Sequence, residues 1–379
     1  MKFLHVSDLH IGKRVNEFSM IEDQEYILDE ILKIVDQHKP QVVLIAGDIY
    51  DKGIPSIEGV VLFDRFLTRL HRKETTICMV SGNHDSSERI GFGGRIMREN
   101  NIYIAGTYEG KLEKVSMEDE YGIIHIYLMP FIKPAMARRY FPEIESYQDA
   151  VEAILANEEI DRNQRNILVA HQFIISGETV PEQCESETIS IGGLDSIDAS
   201  VFQDFDYVAL GHLHGAQKIG RDTIRYAGSP LKYSFSETRQ KKSVTLVEIG
   251  DSSNIAISLI PLVPKRDMRI IKGPISALTD PAVYSKANTE DYIQAILTDE
   301  EEIYDAIGKL RSIYPNIMRL EFENGTTGWN AISSRAAADI EKKSSIELFE
   351  EFFQNQNHKP MNEKQKSIMY QMFEEMVGE

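Results

Sequence analysis

The sequence predicts a layered α/β fold, followed by a small α+β unit and a C-terminal helical hairpin. Apolar runs of strand length alternate with helical patterns up to about residue 260, which is typical of packed helices and sheets. A shorter pattern of strands and helices follows, and the chain ends in amphipathic segments. We therefore expect a first domain at 1–263, a second at 264–326, and a linker with a helical tail at 327–379.

The strands of the first domain are predicted from short apolar runs bounded by glycine, proline or polar residues. They lie at 3–6, 42–46, 76–80, 123–129, 167–170 and 207–210. Helical patterns with one apolar face separate several of them, most clearly at 23–37 and 56–72. Two further strands, 243–249 and 255–260, flank the turn-like segment "GDSSN" and predict a hairpin that closes the domain.

The second domain has a weaker pattern. We expect strands near 268–272 and at 317–323, and helices over 290–297 and 301–314. The Gly-rich segment 323–330 is predicted to be a linker.

Two amphipathic helices are predicted in the tail, at 344–357 and 362–377, because Pro360 between them cannot continue a helix. Their apolar faces are large for a hairpin with little domain around it. Two interpretations stay open: packing against the tail's own domain, or docking on a partner protein.

Composition limits the class of protein. A chain of 379 residues, 42% of them hydrophobic, can bury more than one core, and two cysteines are too few for a disulfide framework. The net charge of −19 disfavours coating of nucleic acid by bulk electrostatics, so DNA contacts would be local, metal-mediated or supplied by a partner. No membrane span or signal peptide is apparent, and we expect a cytoplasmic protein without membrane contact.

Side chains that can bind metal follow five of the predicted strands. They are Asp8 and His10; Asp48 and Asp51; Asn83, His84 and Asp85; His171; and His212 and His214. Each group alone is more typical of a capping or surface pair, and the glycines before three of them usually indicate turn geometry. Because residues after the carboxyl ends of strands in an open α/β sheet meet in one crevice, the five groups together predict a metal site.

The ligand types indicate the class of metal. Imidazole, carboxylate and amide groups without thiolate suit divalent ions such as Mn²⁺, Fe²⁺ or Zn²⁺. The number of ligands exceeds what one ion takes and predicts two ions, roughly 3.5–4 Å apart, that share a bridging carboxylate. Two dications with only two carboxylate ligands, Asp8 and Asp48, leave a positive pocket that attracts a phosphate diester.

Five segments resemble the signature blocks of the calcineurin-like metallophosphoesterases. They read "DLHIG", "GDIYD", "GNHD", "AHQ" and "GHLHG". Three longer segments, "HVSDLHIGKR", "YAGSPLKYSFSE" and "PLVPKRDMRIIKG", further resemble the SbcD family, the nuclease subunits of bacterial SbcCD complexes. The resemblance implies a metallophosphoesterase β-sandwich flanked by helices, a DNA-capping second domain, and cleavage of double-strand ends and hairpins in DNA repair and recombination.

The resemblance also implies a role for each candidate residue. It assigns one metal ion to Asp8, His10, Asp48 and His214, and the second to Asp48, Asn83, His171 and His212. Manganese is the expected metal. His84 would face the scissile phosphate as a general acid or transition-state stabiliser, with Asp51 and Asp85 as orienting residues.

Partners are predicted as well. The chain has no "GxxxxGK[ST]" phosphate loop, so ATP dependence would come from another protein. The resemblance implies an SbcC-type ABC ATPase bound by the C-terminal helices, and a homodimer formed through the first domain, with 56–72 as a candidate interface. Lys265, Arg266 and Arg269 are candidate DNA contacts of the second domain.

Two other functions stay open at this point. One is a small-molecule phosphodiesterase or phosphatase of the same superfamily. The other is a metal-free scaffold with a phosphoesterase fold.

Overall fold

The computed structural model describes residues 1–187, 195–251, 254–301 and 303–323, and in the tail 349–350, 353–354, 360–362, 364–366 and 369. The predicted linker and most of the two predicted tail helices lie outside these residues. In the part of the chain that is described, no helix is long and apolar enough to cross a bilayer.

The strands are short and distributed along the whole described chain. They are β1 (Lys2–Val6), β2 (Arg14–Val15), β3 (Phe18–Ser19), β4 (Val42–Ala46), β5 (Thr76–Val80), β6 (Ile102–Ala105), β7 (Glu113–Asp119), β8 (Gly122–Met129), β9 (Arg165–His171), β10 (Phe173–Ile175), β11 (Ser196–Asp198), β12 (Tyr207–Gly211), β13 (Gln217–Ile219), β14 (Arg221–Tyr226), β15 (Ser243–Ile249), β16 (Ile255–Pro261), β17 (Met268–Gly273), β18 (Tyr292–Leu297) and β19 (Ile317–Phe322).

The helices are fewer, and most are short. They are α1 (Ile21–His38), α2 (Ile57–His71), α3 (Ser87–Ile90), α4 (Gly94–Arg98), α5 (Pro134–Ala137), α6 (Tyr147–Ala156), α7 (Ile275–Leu278), α8 (Pro281–Tyr284) and α9 (Ala306–Arg311). The two longest, α1 and α2, confirm the helical patterns predicted at 23–37 and 56–72.

Two six-stranded sheets form the first part of the chain. The first has the order β16-β15-β1-β4-β5-β6, and the second has the order β13-β14-β12-β9-β8-β7. In the first sheet β1, β4, β5 and β6 are parallel, and β15 and β16 form the predicted antiparallel hairpin. In the second sheet β8, β9, β12 and β14 are parallel, so their carboxyl ends share one edge.

Alternation along the strands separates two cores. Phe3 of β1 packs between the two sheets with Val169 of β9, whereas its neighbour Leu4 packs outward with Ile31 of α1 and Phe66 of α2. Helix α6 covers the outer face of the second sheet. Each of these fully buried apolar side chains contributes about 1.5–3 kcal/mol. The result is a helix–sheet–sheet–helix sandwich, which confirms the predicted layered α/β class.

The ends of α1 and α2 follow from local chemistry. Ile27, Ile31 and Val35 recur every four residues and give α1 its buried face. The helix ends at Lys39, which adopts a left-handed conformation. Helix α2 begins after Ser56, whose hydroxyl accepts the Gly59 N–H at 3.1 Å.

The small unit is a parallel sheet in the order β17-β18-β19, covered by short helices. The helix predicted over 290–297 was wrong, because this segment is strand β18 at the centre of the sheet. A central strand buried on both faces carries a continuous apolar run, and periodicity alone does not distinguish such a run from a buried helix. Helix α9 is also shorter than the predicted 301–314.

A buried carboxylate attaches the small unit to α1. Asp23 is fully buried and accepts two hydrogen bonds from the guanidinium of Arg266, at 3.0 and 2.6 Å. It also accepts the Tyr292 hydroxyl at 2.6 Å, and Arg266 lies over the Tyr292 ring at 5.3 Å.

The three basic residues suggested as DNA contacts are all paired within the chain. Lys265 and Arg266 both contact Glu22, and Arg269 donates to Asp291 at 2.6 Å. Their charges are therefore partly neutralised by neighbouring carboxylates.

Candidate metal centre

The candidate site lies at the edge where the carboxyl ends of both sheets meet. The loops after β1, β4 and β5 of the first sheet face the ends of β9 and β12 of the second. The strand-end argument alone used the crevice of an open sheet. The structure has two sheets packed face to face, as the β-sandwich implied by the family resemblance predicts. In the second sheet His171 pairs in register with Gly211, which brings the β9 histidine next to the His212 segment.

Three of the candidate residues form a first group around His10. Ligand atoms of Asp8, His10 and His214 all lie within 4.8 Å of one another. The Nε2 atoms of His10 and His214 are 3.0 Å apart, and His10 Nε2 lies 3.6 Å from Asp48 Oδ2. All four residues predicted for one ion thus converge.

A second group forms around Asn83. Its Oδ1 lies 2.9 Å from His171 Nε2 and 3.0 Å from His212 Nδ1. His171 Nε2 is also 3.4 Å from Asp48 Oδ2. Asp48 therefore lies between the two groups, within 3.6 Å of His10 on one side and 3.4 Å of His171 on the other.

The hydrogen bonds of His171 provide a test of whether a cation fits. Its Nδ1–H donates to the carbonyl oxygen of Ala46 at 2.8 Å, so Nε2 of the neutral ring carries a lone pair. That lone pair faces the oxygens of Asn83 and Asp48, which are acceptors too. In the neutral ring, the form that binds metal, three acceptors are directed at one point, so the donor set fits a divalent metal. Without metal, a proton on His171 Nε2 supplies the positive charge at this point.

Burial and the carboxylate of Asp48 shift the pKa values of the histidines in the site. Burial lowers the pKa of His10 well below its usual range and that of His212 to about 3, so both imidazoles are neutral, as metal ligation requires. Burial alone lowers the pKa of His171, but Asp48 outweighs it and the net shift is upward, to about 9. A positive charge is thus favoured next to Asp48.

The backbone of the site is strained. Asp8, His10 and Asp48 have φ values of 52°, 44° and 49°, and His212 has a φ of 111°. Left-handed backbone is uncommon outside glycine, although Asp and His tolerate it better than most residues. Four of the ligand candidates share this feature, so the loops are held in place by the surrounding packing.

Gly211 shows why small residues precede the ligands. A Cβ atom on Gly211 would lie 1.8 Å from the carbonyl oxygen of Ala46, and the φ of Gly211 is not in the left-handed region. The absence of a side chain lets β12 approach β4 closely, so this glycine serves packing between the sheets rather than turn geometry.

His84 lies beside the two groups and is half-buried. Its Nδ1 is 2.9 Å from the carbonyl oxygen of Asp51, and its backbone N–H donates to Asp48 Oδ1 at 2.9 Å. The ring stands at 90° to that of His10, with centroids 4.8 Å apart. His84 is also near enough to His10 and Asp48 to form a third group of metal-capable atoms.

The Asp51 side chain contacts Lys13 and His10. Its carboxylate accepts a hydrogen bond from Lys13 Nζ at 2.7 Å and lies 3.7 Å from His10 Nδ1. The contact with His84 is made by the Asp51 carbonyl.

Asp85 connects two loops. Its carboxylate accepts the backbone N–H groups of Gly82, Ile49 and Tyr50 at 2.9, 3.1 and 2.9 Å. Burial, with Asp48 nearby, raises the pKa of Asp85 to about 6. The residue therefore fixes the β5 loop against the β4 loop.

Sequence reasoning missed several residues that hold the ligands. Gln24 of α1 donates to the carbonyl oxygen of His10 at 2.7 Å and accepts the Gly12 N–H at 2.9 Å, which fixes the first loop. Ser186 and Glu237 approach His214 from two other segments. Only Glu237 had a signal, because it ends the segment "YAGSPLKYSFSE".

Two family models match the chain. The calcineurin-like phosphoesterase model matches residues 1–216, which include every candidate site residue. A second model, described as the type 5 capsule protein repressor C-terminal domain, matches residues 264–357.

Known proteins agree with these matches. The D subunit of the nuclease SbcCD from Staphylococcus epidermidis is 32% identical over 370 residues, with 96% of each chain covered. Two solved structures align at 10% identity: a dimetal phosphatase from Danio rerio (TM-score 0.41, 69% of this chain and 96% of that one) and TT1561 of Thermus thermophilus (TM-score 0.40, 68% and 98%). The assignment depends on the family models and on the Staphylococcus relative. The chain is a metal-dependent phosphoesterase and belongs to the SbcD family of the calcineurin-like phosphoesterases.

Proposed function

We propose that the chain is a DNA nuclease that uses two divalent metal ions, with manganese as the metal, to cut DNA at double-strand ends and hairpins in repair and recombination. The observation that carries the proposal is the convergence of seven side chains whose nitrogen and oxygen atoms fit divalent metal ions. The name of the Staphylococcus relative supports a nuclease and an SbcCD assembly.

The ligands divide into two sets that share Asp48. We assign the first ion to Asp8, His10, Asp48 and His214, and the second to Asp48, Asn83, His171 and His212. The distances of Asp48 to His10 and to His171, 3.6 and 3.4 Å, support its role as the bridge. Bound ions of this kind supply Lewis-acid stabilisation of a phosphodiester and activation of water.

His84 is the proposed catalytic residue outside the ligand sets. Since its Nδ1–H donates to the Asp51 carbonyl at 2.9 Å, Nε2 is the atom that can hold or release a proton toward substrate. A protonated Nε2 would donate to the leaving oxygen of the phosphodiester. Asp51 orients the ring through its carbonyl, and Asp85 acts one step further away by fixing the loop that carries His84.

The first test is cleavage of linear duplex and hairpin DNA by the purified chain in Mn²⁺, with a His84→Gln variant beside it. We expect the variant to lose about 10²- to 10⁴-fold in rate while it binds two metal ions as before. His125→Gln is the matched control, because His125 is a half-buried histidine of β8 that contacts Ser116, away from the site.

Hydrolysis of bis-p-nitrophenyl phosphate separates the alternatives. If only this small diester is cut, with an SbcC-type ATPase present, the metal assignment stands and the DNA substrate does not, and a small-molecule phosphodiesterase becomes the better description. If neither substrate is cut and no metal binds, the metal-free scaffold is the better description than either the nuclease or the small-molecule phosphodiesterase.

A homodimer is proposed through α2 and the region of α3 and α4. Ile57 and Val61 of α2, together with Phe92 and Ile96, are exposed and apolar; Ile57 is 81% exposed and Phe92 84%. Ile57→Asp should give a monomer in sedimentation equilibrium. Tyr304→Asp, at a 90% exposed aromatic of the small unit, should leave the mass unchanged.

The remaining proposals concern the partner and the second domain. We propose that residues 264–326 cap the nuclease site and that the C-terminal helices within 327–379 bind an SbcC-type ATPase. A variant lacking 327–379 should keep hydrolysis of the small diester and lose co-purification with the ATPase. If the shortened variant still binds the ATPase, the docking site lies outside residues 327–379.

A further inference from the structure

A buried ion pair lies directly behind His214. Glu237 is 0% exposed and Lys242 is 8% exposed, and their Oε2 and Nζ atoms are 2.6 Å apart. Burying two charges is expensive, and a pair of this kind persists when further hydrogen bonds satisfy both partners. Lys242 also donates to the carbonyl oxygen of His214 at 2.8 Å and to Ser229 Oγ at 2.9 Å. The ammonium is therefore fully coordinated and charged.

Glu237 is held as an anion by the same surroundings. The ammonium of Lys242 donates to its Oε2 at 2.6 Å, so the buried carboxyl group is paired with a full positive charge. Its Oε1 accepts the Ser186 hydroxyl at 2.6 Å and the Tyr233 N–H at 3.1 Å. As a carboxylate it can only accept, so the Ser186 proton points to Glu237.

The direction of that bond fixes the proton on His214. Ser186 Oγ also lies 2.8 Å from His214 Nδ1. The single hydroxyl proton of Ser186 is used toward Glu237, so Oγ must accept, and the proton between the two residues belongs to His214 Nδ1. His214 Nε2 then carries the lone pair, and it is the atom that faces His10 Nε2 at 3.0 Å.

The backbone of His214 is fixed from the same side. Glu187, next to Ser186, accepts the His214 N–H at 2.5 Å and the Cys184 N–H at 2.7 Å. The segment 184–187 therefore contacts both the ring and the main chain of His214, and Lys242 contacts its carbonyl.

We propose that Lys242, Glu237 and Ser186 form a hydrogen-bond relay that fixes His214 as the Nδ1–H tautomer and thereby sets the affinity of the first metal ion. They are positioning residues, because each acts through His214. The inference rests on the proposed role of His214 as a metal ligand. Partners of this type orient ligating histidines and raise their basicity.

Ser186→Ala is the most direct test, because Ser186 is only half-buried and its removal leaves the ion pair intact. We expect the first-site affinity for Mn²⁺, measured by titration calorimetry without DNA, to fall by about 10- to 100-fold, with the second site unchanged. Ser116→Ala is the matched control, since Ser116 Oγ makes a 2.8 Å contact with a histidine outside the site, His125. It should leave both affinities as they are.

A second measurement reads the tautomer in the metal-free protein. In ¹⁵N-histidine spectra the wild-type His214 should show a protonated Nδ1 and an unprotonated Nε2. Ser186→Ala should populate the other tautomer, and Ser186→Thr, which keeps the hydroxyl, should restore both the spectrum and the Mn²⁺ affinity. A merely structural role for Ser186 predicts no tautomer change.

The outcomes are distinct from those of the proposed function. Unchanged Mn²⁺ affinity in Ser186→Ala, or an Nε2–H tautomer in the wild type, overturns the relay even if DNA is cut. If the wild type does not cut DNA but Ser186→Ala still weakens Mn²⁺ binding at the first site, the relay stands and the nuclease proposal is rejected.

Discussion

Substitution of Gly211 by alanine is expected to damage the fold and the metal centre together. The new Cβ would lie 1.8 Å from the carbonyl oxygen of Ala46, on the facing sheet, and 2.8 Å from His171 Nδ1. Neither atom is the end of a flexible chain: one is backbone, and the other is a fully buried ring bonded to that same carbonyl. The strain therefore has to move β12 relative to β4.

The cost follows from these distances. An ordinary contact begins near 3.4 Å, so the strands must separate by about 1.6 Å from the present 1.8 Å. Overpacking of a well-packed core costs about 1–3 kcal/mol, and loss of the hydrogen bond from His171 to Ala46 adds about 0.5–1.5 kcal/mol. We expect the free energy of unfolding to fall by about 1.5–4.5 kcal/mol, with weaker Mn²⁺ binding at the second site because His171 is displaced.

Urea denaturation in the presence of a chelator measures the stability change without metal linkage. Gly94→Ala is the matched control, because the nearest atom to its new Cβ lies at 3.9 Å and it is in helix α4. Alanine there should stabilise by up to about 1 kcal/mol. A loss below about 1 kcal/mol in Gly211→Ala would refute the close-approach argument.

Three further predictions concern stability, and the first two lie away from the catalytic chemistry. Asp23→Asn should destabilise the protein by about 3 kcal/mol and speed hydrogen exchange in the small unit, because Arg266 loses its buried partner. The control Glu22→Gln removes an exposed partner of Arg266 and should cost less than about 1 kcal/mol. The hydrogen bonds from Arg165 hold the pKa of Asp119 below its usual range, so this stabilisation is present above about pH 4 and is lost on acidification. Asp119→Asn should flatten that part of the acid unfolding profile, and an unchanged profile would contradict the assignment. Chelation of metal should lower the melting temperature of the wild type, and added Mn²⁺ should restore it, with a shift that grows with the logarithm of the free Mn²⁺ concentration.

The ligand residues could be predicted from sequence because each group directly follows a buried strand. Asp8, Asp48 and His212 are read from short local patterns, and parallel strands bring such patterns to one edge. The arrangement of that edge was predicted only through the family resemblance, which implied a β-sandwich, since nothing local distinguishes one open sheet from two facing sheets.

The residues that support the ligands were beyond sequence reasoning for a related reason. Ser186 contacts His214 across 28 positions, and Lys242 contacts its carbonyl across another 28. A buried glutamate or lysine looks like a surface charge in the sequence. Only packing reveals the role of Lys242, and for Glu237 the sequence offers no more than its place at the end of a family-like segment. The error over β18 has the opposite origin: its local pattern was clear, but it suited a helix and a central strand equally.

The left-handed backbone at Asp8, His10 and Asp48 determines which substitutions would be favoured if the metal centre were no longer needed. Each such residue costs roughly 1 kcal/mol relative to glycine in the same conformation. In a lineage that is no longer selected for catalysis, glycine or asparagine at these positions would relieve the backbone strain. Such substitutions would therefore be favoured early. Without that selection, these buried ligand positions would be among the first to change.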